Sequence, residues 1–317
     1  MASVPLWIGF VSGLVLLIVV DLIAFGRKPR SISARRAAAW SALWIVLSLA
    51  FDLWIWRRAG AGPAIEFLSG YLVEKSLSVD NLFVFILIFQ YFAIEPARQH
   101  RVLVWGIVGA LTLRGLLIAA GTVFINKFAW SLYILGAFLV YVALHLLFRK
   151  SKTVHMEANP VLRWLGKIVP TAPEDASANF FIRREGRRLV TPMLLAMVAI
   201  ESADVLFALD SIPAVFGITR DPFIVFSSNA CAILGLRALY FVVAKWITQL
   251  RYLDTGVSLV LLFIGLQMLA AHWVDVPSEI SLGVIVFLLV AATIASLADK
   301  RGPTQPDAKS ADSGRTA

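Results

Sequence analysis

Residues 71–85 of the chain read YLVEKSLSVDNLFVF, a stretch in which charged and polar residues interrupt an apolar run. The run extends from about 64 to 92, longer than the roughly 20 residues that a helix needs to cross a bilayer. Glu74, Lys75 and Asp80 therefore fall where a membrane helix normally excludes charge, since inserting one such residue costs about 2.5–3.5 kcal/mol. We infer a membrane helix built around a polar site.

The composition of the whole chain agrees with a membrane protein. Of 317 residues, 59% are hydrophobic and 15% are charged, against about 25% charged in soluble proteins. The mean hydropathy is +0.81. These values exclude soluble enzyme classes and predict an all-α polytopic membrane protein. The single cysteine, Cys231, excludes an intramolecular disulfide framework.

Apolar runs bounded by charge predict nine membrane spans and a division of the chain into six parts. The spans are 4–25, 37–56, 64–92, 102–122, 129–148, 190–216, 223–247, 252–271 and 279–298. The parts are two N-terminal helices (1–63), a first three-helix repeat (64–148), a basic cytoplasmic loop (149–189), a second three-helix repeat (190–271), a last helix (272–298) and a disordered tail (299–317). We expect a short amphipathic helix around 161–169 within the loop.

The basic residues predict the orientation. Of the 29 Lys and Arg residues, 22 fall in the tail and in or within three residues of the connections after spans one, three, five and seven, and 4 fall in the other connections. Because Lys and Arg are enriched in cytoplasmic connections, we predict a cytoplasmic C-terminus and an outer N-terminus. The net charge of +9 then reports topology and argues against a nucleic-acid partner. The start, MASVPLW, has no basic segment, so we expect the first span to be retained.

A second polar segment, IESADVLFALDSIPAVF at 200–216, repeats the first. Glu74 and Asp80 correspond to Asp204 and Asp210 with an offset of 130 residues. Two further pairs follow in order, Arg114 with Arg237 and His145 with Gln267. Three helices per unit is an odd number, which predicts an inverted repeat with a site where the halves meet near the midplane.

Helix geometry places neutral oxygen donors beside the acids. Ser78 and Asn81 share a face with Glu74, and Ser211 shares one with Asp204, because residues four and seven positions apart lie on one side of a helix. Pro213 cannot donate to the carbonyl of residue 209. We therefore expect a kinked or unwound stretch near Asp210.

The charged groups near the centres of the spans are rich in acids. Five acids, Glu74, Asp80, Glu201, Asp204 and Asp210, face three bases, Lys75, Arg114 and Arg237. The difference of two negative charges suits one divalent cation, and an all-oxygen ligand set favours Mn²⁺, Mg²⁺ or Ca²⁺. The same acids also suit proton coupling, because burial disfavours a charged carboxylate. Two alternatives stay open. In one, the arginines are structural counter-ions to the acids. In the other, the acids only hold helices together.

The segments EKSLSVDNLFVF and ALDSIPAVFGITRDPFIVFSSNACAILGLRALYF resemble the signature segments of the TerC family of integral membrane proteins, nearest to its Alx branch. The resemblance covers about residues 6–298. It implies a multi-pass protein of the bacterial inner membrane, linked to tellurium resistance and to manganese export. By position it implies that Glu74, Asp80, Asp204 and Asp210 are metal-site residues. The chain departs from the family pattern where it has His145 and Gln267.

We predict a transporter that exports a divalent cation, with Mn²⁺ as the expected ion, through a site between spans three and six. Glu74, Asp80, Asp204 and Asp210 would bind the cation or coupled protons, Glu201 is an additional acid, and Lys75, Arg114 and Arg237 would balance charge. We expect no catalytic residues and no tightly bound cofactor. The alternative is a membrane scaffold or stress-response factor that acts through partners at loop 149–189. A redox component is disfavoured by the single cysteine.

Overall fold

The computed structural model describes residues 3–26, 34–128, 130–148, 180–184, 187–243, 252–271, 273–274 and 276–298. Apart from one short hairpin, the described chain is helical, as predicted. The elements are α1 (Val4–Gly26), α2 (Ala34–Ala59), α3 (Ala61–Tyr91), α4 (Pro96–Lys127), α5 (Ser131–Phe148), β1 (Phe181–Arg184), β2 (Arg187–Val190), α6 (Pro192–Ile218), α7 (Pro222–Leu234), α8 (Leu236–Val243), α9 (Leu253–Ala270) and α10 (Ser278–Ala298).

Within the described residues, each of the nine predicted spans is mainly helical. Seven stretches in the described chain are long and apolar enough to cross a membrane, and one of them, Pro222–Val242, runs through both α7 and α8. Helix α9 contributes a shorter apolar stretch, Thr255–Ala270. Helix α3 has 31 residues and carries the polar segment that interrupts its apolar run. The chain is therefore a multi-pass α-helical membrane protein.

The break in the helices lies elsewhere than expected. Helix α6 is continuous through Pro213, and the last turns around that proline are buried against neighbouring helices. Packing on the flanking turns thus maintains the helix although the proline ring removes one hydrogen bond. The interruption instead falls at Gly235, which separates α7 from α8 within one span. The expected unwound stretch near Asp210 is not found.

Helix α7 lies at the centre and is buried along almost its whole length. Helix α3 packs against α6 and α7, and α4 packs against the same two helices. The most extensive helix pair is α5 with α9. Each helix of 64–148 thus meets its predicted counterpart, or that counterpart's neighbour, in 190–271. A two-fold related pair of three-helix units would give this pattern, although the part boundaries themselves stay a prediction.

The contact between α5 and α9 depends on two facing glycines. A Cβ atom on Gly265 would lie 2.9 Å from the carbonyl oxygen of Gly136, and one on Gly136 would lie 3.0 Å from that of Gly265. Such small residues allow membrane helices to approach closely. Backbone contact at this point sets the distance between the two helices.

Helices α1 and α2 pack on the outside of this bundle and expose mostly apolar side chains. An aromatic cluster attaches them to α7. The rings of Trp7 and Phe223 are 5.3 Å apart and edge-on, and those of Phe10 and Phe51 are 5.1 Å apart. Edge-on ring pairs of this kind add about 0.5–1.5 kcal/mol beyond area burial.

The end of the basic loop forms an antiparallel hairpin that was not expected. Phe181 pairs with Val190 and Arg184 with Arg187. The Thr191 backbone N–H donates to the Phe180 carbonyl at 3.2 Å, which joins the hairpin to the start of α6. The amphipathic helix expected at 161–169 lies outside the described residues.

Replacing Gly265 with alanine should destabilise the protein by about 1–3 kcal/mol, because the new methyl group overpacks a backbone contact. Gly283→Ala is the matched control, since a Cβ atom there meets nothing within 4 Å. Thermal unfolding of both variants in detergent measures the difference. Equal melting temperatures for the two variants would contradict the close packing of α5 on α9.

Candidate functional site

A buried arginine joins the two polar segments. The Arg114 side chain extends from α4 into the space between α3 and α6 and is 1% exposed. It donates through Nη1 to Glu74 Oε1. It also donates through Nη2 to Asp204 Oδ1 at 2.8 Å and through Nε to Asp204 Oδ2 at 3.0 Å. Glu74 and Asp204, the acids matched by the repeat, thus share one guanidinium.

Helix α7 completes this arrangement. Asn229 donates from Nδ2 to Glu74 Oε2 at 3.0 Å, and Arg114 Nη1 lies 3.5 Å from Asn229 Oδ1. Arg114 Nη1 also lies 3.4 Å from Ser211 Oγ of α6. We call these five residues, Glu74, Arg114, Asp204, Ser211 and Asn229, the Arg114 cluster. All five are buried, and they come from four helices.

Small residues bring the helices of the cluster close together. A Cβ atom on Gly109 of α4 would overlap the Glu201 carboxylate, which lies directly against the α4 backbone. A Cβ atom on Gly70 of α3 would lie 2.9 Å from Ser228 Oγ of α7. Both glycines leave room for a polar side chain of the facing helix.

Three oxygen atoms near the cluster are buried without a hydrogen-bond partner. They belong to Ser78 of α3 and to Glu201 and Asp210 of α6. Asp210 is close enough to Glu74 and Arg114 to interact electrostatically with both. Buried polar groups in proteins are usually hydrogen-bonded, so each exception requires an explanation. Such atoms are available for a ligand or a proton.

The remaining predicted site residues have varied positions. Asn81 is buried in α3, on the face predicted for it. Asp80 lies in α3, but its side chain is outside the part that the structure describes. His145 stacks on Tyr141 near the end of α5, and Gln267 accepts a hydrogen bond from Ser281 of α10.

Two predicted bases have partners other than the four predicted metal-site acids. Lys75 Nζ donates to the carbonyl of Ala232 at 3.1 Å, near the C-terminal end of α7. Arg237 Nη2 pairs with Asp21 Oδ2 of α1 at 2.6 Å. His100 Nδ1 lies 3.3 Å from Arg237 Nη1. Arg114 and Arg237, matched in sequence, thus differ in surroundings.

Asn229 is a member of the Arg114 cluster that was not predicted from the sequence. Asn229 stands in SSNACAIL, where a lone amide in an apolar helix was a usable signal. Asp21 lies near the end of the first predicted span, and its pairing with Arg237 is not encoded in the spacing of the two residues. No pattern in the sequence identifies Glu201 as the group that faces Gly109.

The residues described do not form a preassembled metal cage. In that part of the chain, no group of three or more His, Cys, Asp or Glu side chains is arranged to hold a metal ion. The guanidinium of Arg114 instead lies between the two carboxylates. As described, the site is an internal ion-pair network with unpaired acid oxygens beside it.

The fold and the cluster define a multi-pass helical membrane protein with buried, paired charges. Residues 59–303 match the family described as "Integral membrane protein TerC family", and the chain belongs to that family. It is 42% identical over 306 residues to "Uncharacterized membrane protein STKORF319" of Myxococcus xanthus, covering 96% of each chain. It is 40% identical over 294 residues to "Putative membrane-bound redox modulator Alx" of Escherichia coli K12, covering 90% of this chain and 92% of the relative. No solved structure matches significantly.

Replacing Arg114 with methionine should destabilise the protein by about 3–5 kcal/mol, because it leaves two buried carboxylates without their counter-ion. Adding Glu74→Gln should restore part of that loss. Arg57→Met is the control, since Arg57 is exposed near the end of α2. Thermal unfolding of the purified variants measures these effects. Equal losses for Arg114→Met and Arg57→Met would contradict the assigned ion pairs.

Proposed function

We propose that the protein is a membrane transporter that exports a divalent metal cation, with Mn²⁺ as the expected substrate. The observation that carries the proposal is the position of Arg114, whose positive charge lies between acids from the two predicted repeats. At this point the guanidinium of Arg114 can be exchanged for a cation from solution as the partner of the acids. Many transporters bind substrate where two inverted repeats meet.

The charge balance of the site supports a cationic substrate. Lys75 binds a backbone carbonyl and Arg237 pairs with Asp21, so Arg114 is the base bound to the acids Glu74 and Asp204. With Glu201 and Asp210 also ionised, these four carboxylates and Arg114 would carry three negative charges. This balance is more negative than the two charges expected from the sequence. Cations or protons would neutralise the excess.

The ligand atoms of the site favour a hard divalent cation. Its polar side chains are carboxylates, hydroxyls and amides, whose oxygen atoms suit Mn²⁺, Mg²⁺ and Ca²⁺ better than copper or zinc. Asp210 and Ser78 each have a buried oxygen atom without a partner. In this proposal Glu74, Asp80, Asp204 and Asp210 bind the ion, and Asn81 and Ser211 supply further oxygen atoms.

Several Alx relatives have names that include redox modulation, but one feature of the chain does not favour thiol chemistry. Its 317 residues contain one cysteine, Cys231, which is buried in α7. A thiol–disulfide couple within one chain needs two. We therefore propose transport as the primary activity, without a resident cofactor or a catalysed chemical step.

The location and direction belong to the same proposal. We place the protein in the bacterial inner membrane with its C-terminus in the cytoplasm, because 22 of 29 basic residues fall on that side. The cation would enter from the cytoplasmic ends of α3 and α6 and leave at the opposite ends. Protons that bind the same acids would return inward.

Asp210→Asn should weaken export, because it removes a buried charge that lies beside the Arg114 cluster. Asp80→Asn should act in the same direction. In cells without other manganese exporters, both variants should accumulate more manganese than the parent protein does. In proteoliposomes, their apparent affinity for Mn²⁺ should be weaker by about tenfold or more. Glu95→Gln is the control, since Glu95 is exposed at the start of α4 and pairs with Arg98 at the surface.

Uptake into proteoliposomes identifies the ion. We expect Mn²⁺ to be transported in preference to Mg²⁺ and Ca²⁺, with a dependence on the pH gradient. If no cation is transported under any gradient, the transporter proposal is wrong. A scaffold would instead require loop 149–189 and tolerate changes to the buried acids, which cellular manganese assays with a loop deletion can detect.

A further inference from the structure

A cavity lies at the end of the bundle where α6 and α9 stop and α3 begins. Its volume is about 320 Å³, which is space for several waters or a hydrated ion. The predicted orientation places it on the outer side of the membrane. The polar and small residues that line it include Glu66, Thr219, Arg220, Gln267, Ala271 and Ser278.

The hydrogen bonds in this cavity orient the carboxylate of Glu66 as an acceptor. Thr219 Oγ1 accepts from the backbone N–H of Asp221 at 3.3 Å. Its one hydroxyl hydrogen is donated to Glu66 Oε2 at 2.5 Å. A hydroxyl donor on one oxygen fixes the direction of the carboxylate and leaves its other oxygen facing the cavity. Thr219 is buried, so its two hydrogen bonds are a fixed part of the cavity wall.

The adjoining helix ends favour a cation over an anion. The last turns of α6 and α9 line the cavity, and the C-terminal end of a helix carries a partial negative charge. The N-terminus of α7 would attract an anion, but Asp221 Oδ1 already accepts from the Phe223 backbone N–H there. Arg220 offsets part of the charge of Glu66. The cavity therefore suits weak, reversible binding of a cation.

The cavity also follows the Arg114 cluster along the proposed path. Asp210 lies eight residues before the end of α6, a rise of about 12 Å. Phe216 and Gly217 lie between Asp210 and the end of α6, and both form part of the cavity wall. We propose that the cavity is an outer vestibule in which Glu66, held by Thr219, binds the hydrated divalent cation after it leaves Asp210. This inference rests on the proposed export function for its direction.

Cysteine accessibility tests the vestibule without requiring transport. Ala271→Cys and Ser278→Cys each place a thiol in the cavity wall, and the parent chain is the blank because Cys231 is buried. The full-length protein is treated in oriented vesicles with a membrane-impermeant thiol reagent. Labelling rates are compared with MnCl₂, with KCl at equal ionic strength and with sodium phosphate.

We expect labelling from the outer side, slowed severalfold by Mn²⁺ and not by K⁺ or phosphate. Glu66→Gln, combined with either cysteine substitution in a double variant, should remove the protection by Mn²⁺. Glu279→Gln should retain it, since Glu279 is an exposed acid in the first turn of α10 at the same end of the bundle.

Several results would overturn the vestibule. They are labelling from the cytoplasmic side, no labelling at either cysteine, no protection by Mn²⁺, protection by phosphate instead, and protection that survives Glu66→Gln. Transport in proteoliposomes without protection rejects the vestibule alone. Protection without transport of any cation retains the binding site and rejects the export function.

Discussion

The ion pairs of Arg114 constrain the rest of the bundle. A guanidinium buried among membrane helices must be matched by opposite charge, because removing one partner of a buried pair costs about 3–5 kcal/mol. Glu74 of α3 and Asp204 of α6 supply that charge, and Asn229 of α7 supports Glu74. The side chains are short compared with the distances between helices, so α3, α4, α6 and α7 have to converge. Glycines such as Gly109 make that convergence possible.

The same convergence accounts for the distribution of packing. Helices α3 and α4 each contact α6 and α7, while α5 contacts α9 through the carbonyls of Gly136 and Gly265. Polar side-chain contacts thus join α3, α4, α6 and α7 at the centre of the bundle, and backbone contacts join α5 to α9 at its side. Lipid is as apolar as the helices themselves, so close packing and buried polar contacts supply the association that the hydrophobic effect supplies in water. Helices α1 and α2 add an aromatic layer outside this frame.

The sequence predicted the helices well because long apolar runs bounded by charge carry a strong local signal. It also predicted that Glu74 and Asp204 belong together, since the two polar segments repeat. The ion-pair partners of the buried bases were harder to predict. Arg237 of α8 pairs with Asp21 of α1, a contact that spacing along the chain does not encode. Continuity of α6 through Pro213 likewise depends on tertiary packing, which overrides the local preference.

An acid pair that already holds its own arginine behaves differently from an empty cage. Two facing carboxylates without a counter-ion would be strongly unfavourable at this depth, so Arg114 lets the protein exist without substrate. Its contacts are unequal, because Asp204 is held by two nitrogens in a planar arrangement and Glu74 by one. Bidentate pairs of this kind are the stronger ones. Under the proposed function, an arriving cation therefore competes first for Glu74, while Asp204 keeps Arg114 within the bundle. The guanidinium can then return to Glu74 when the cation leaves, which makes the exchange reversible.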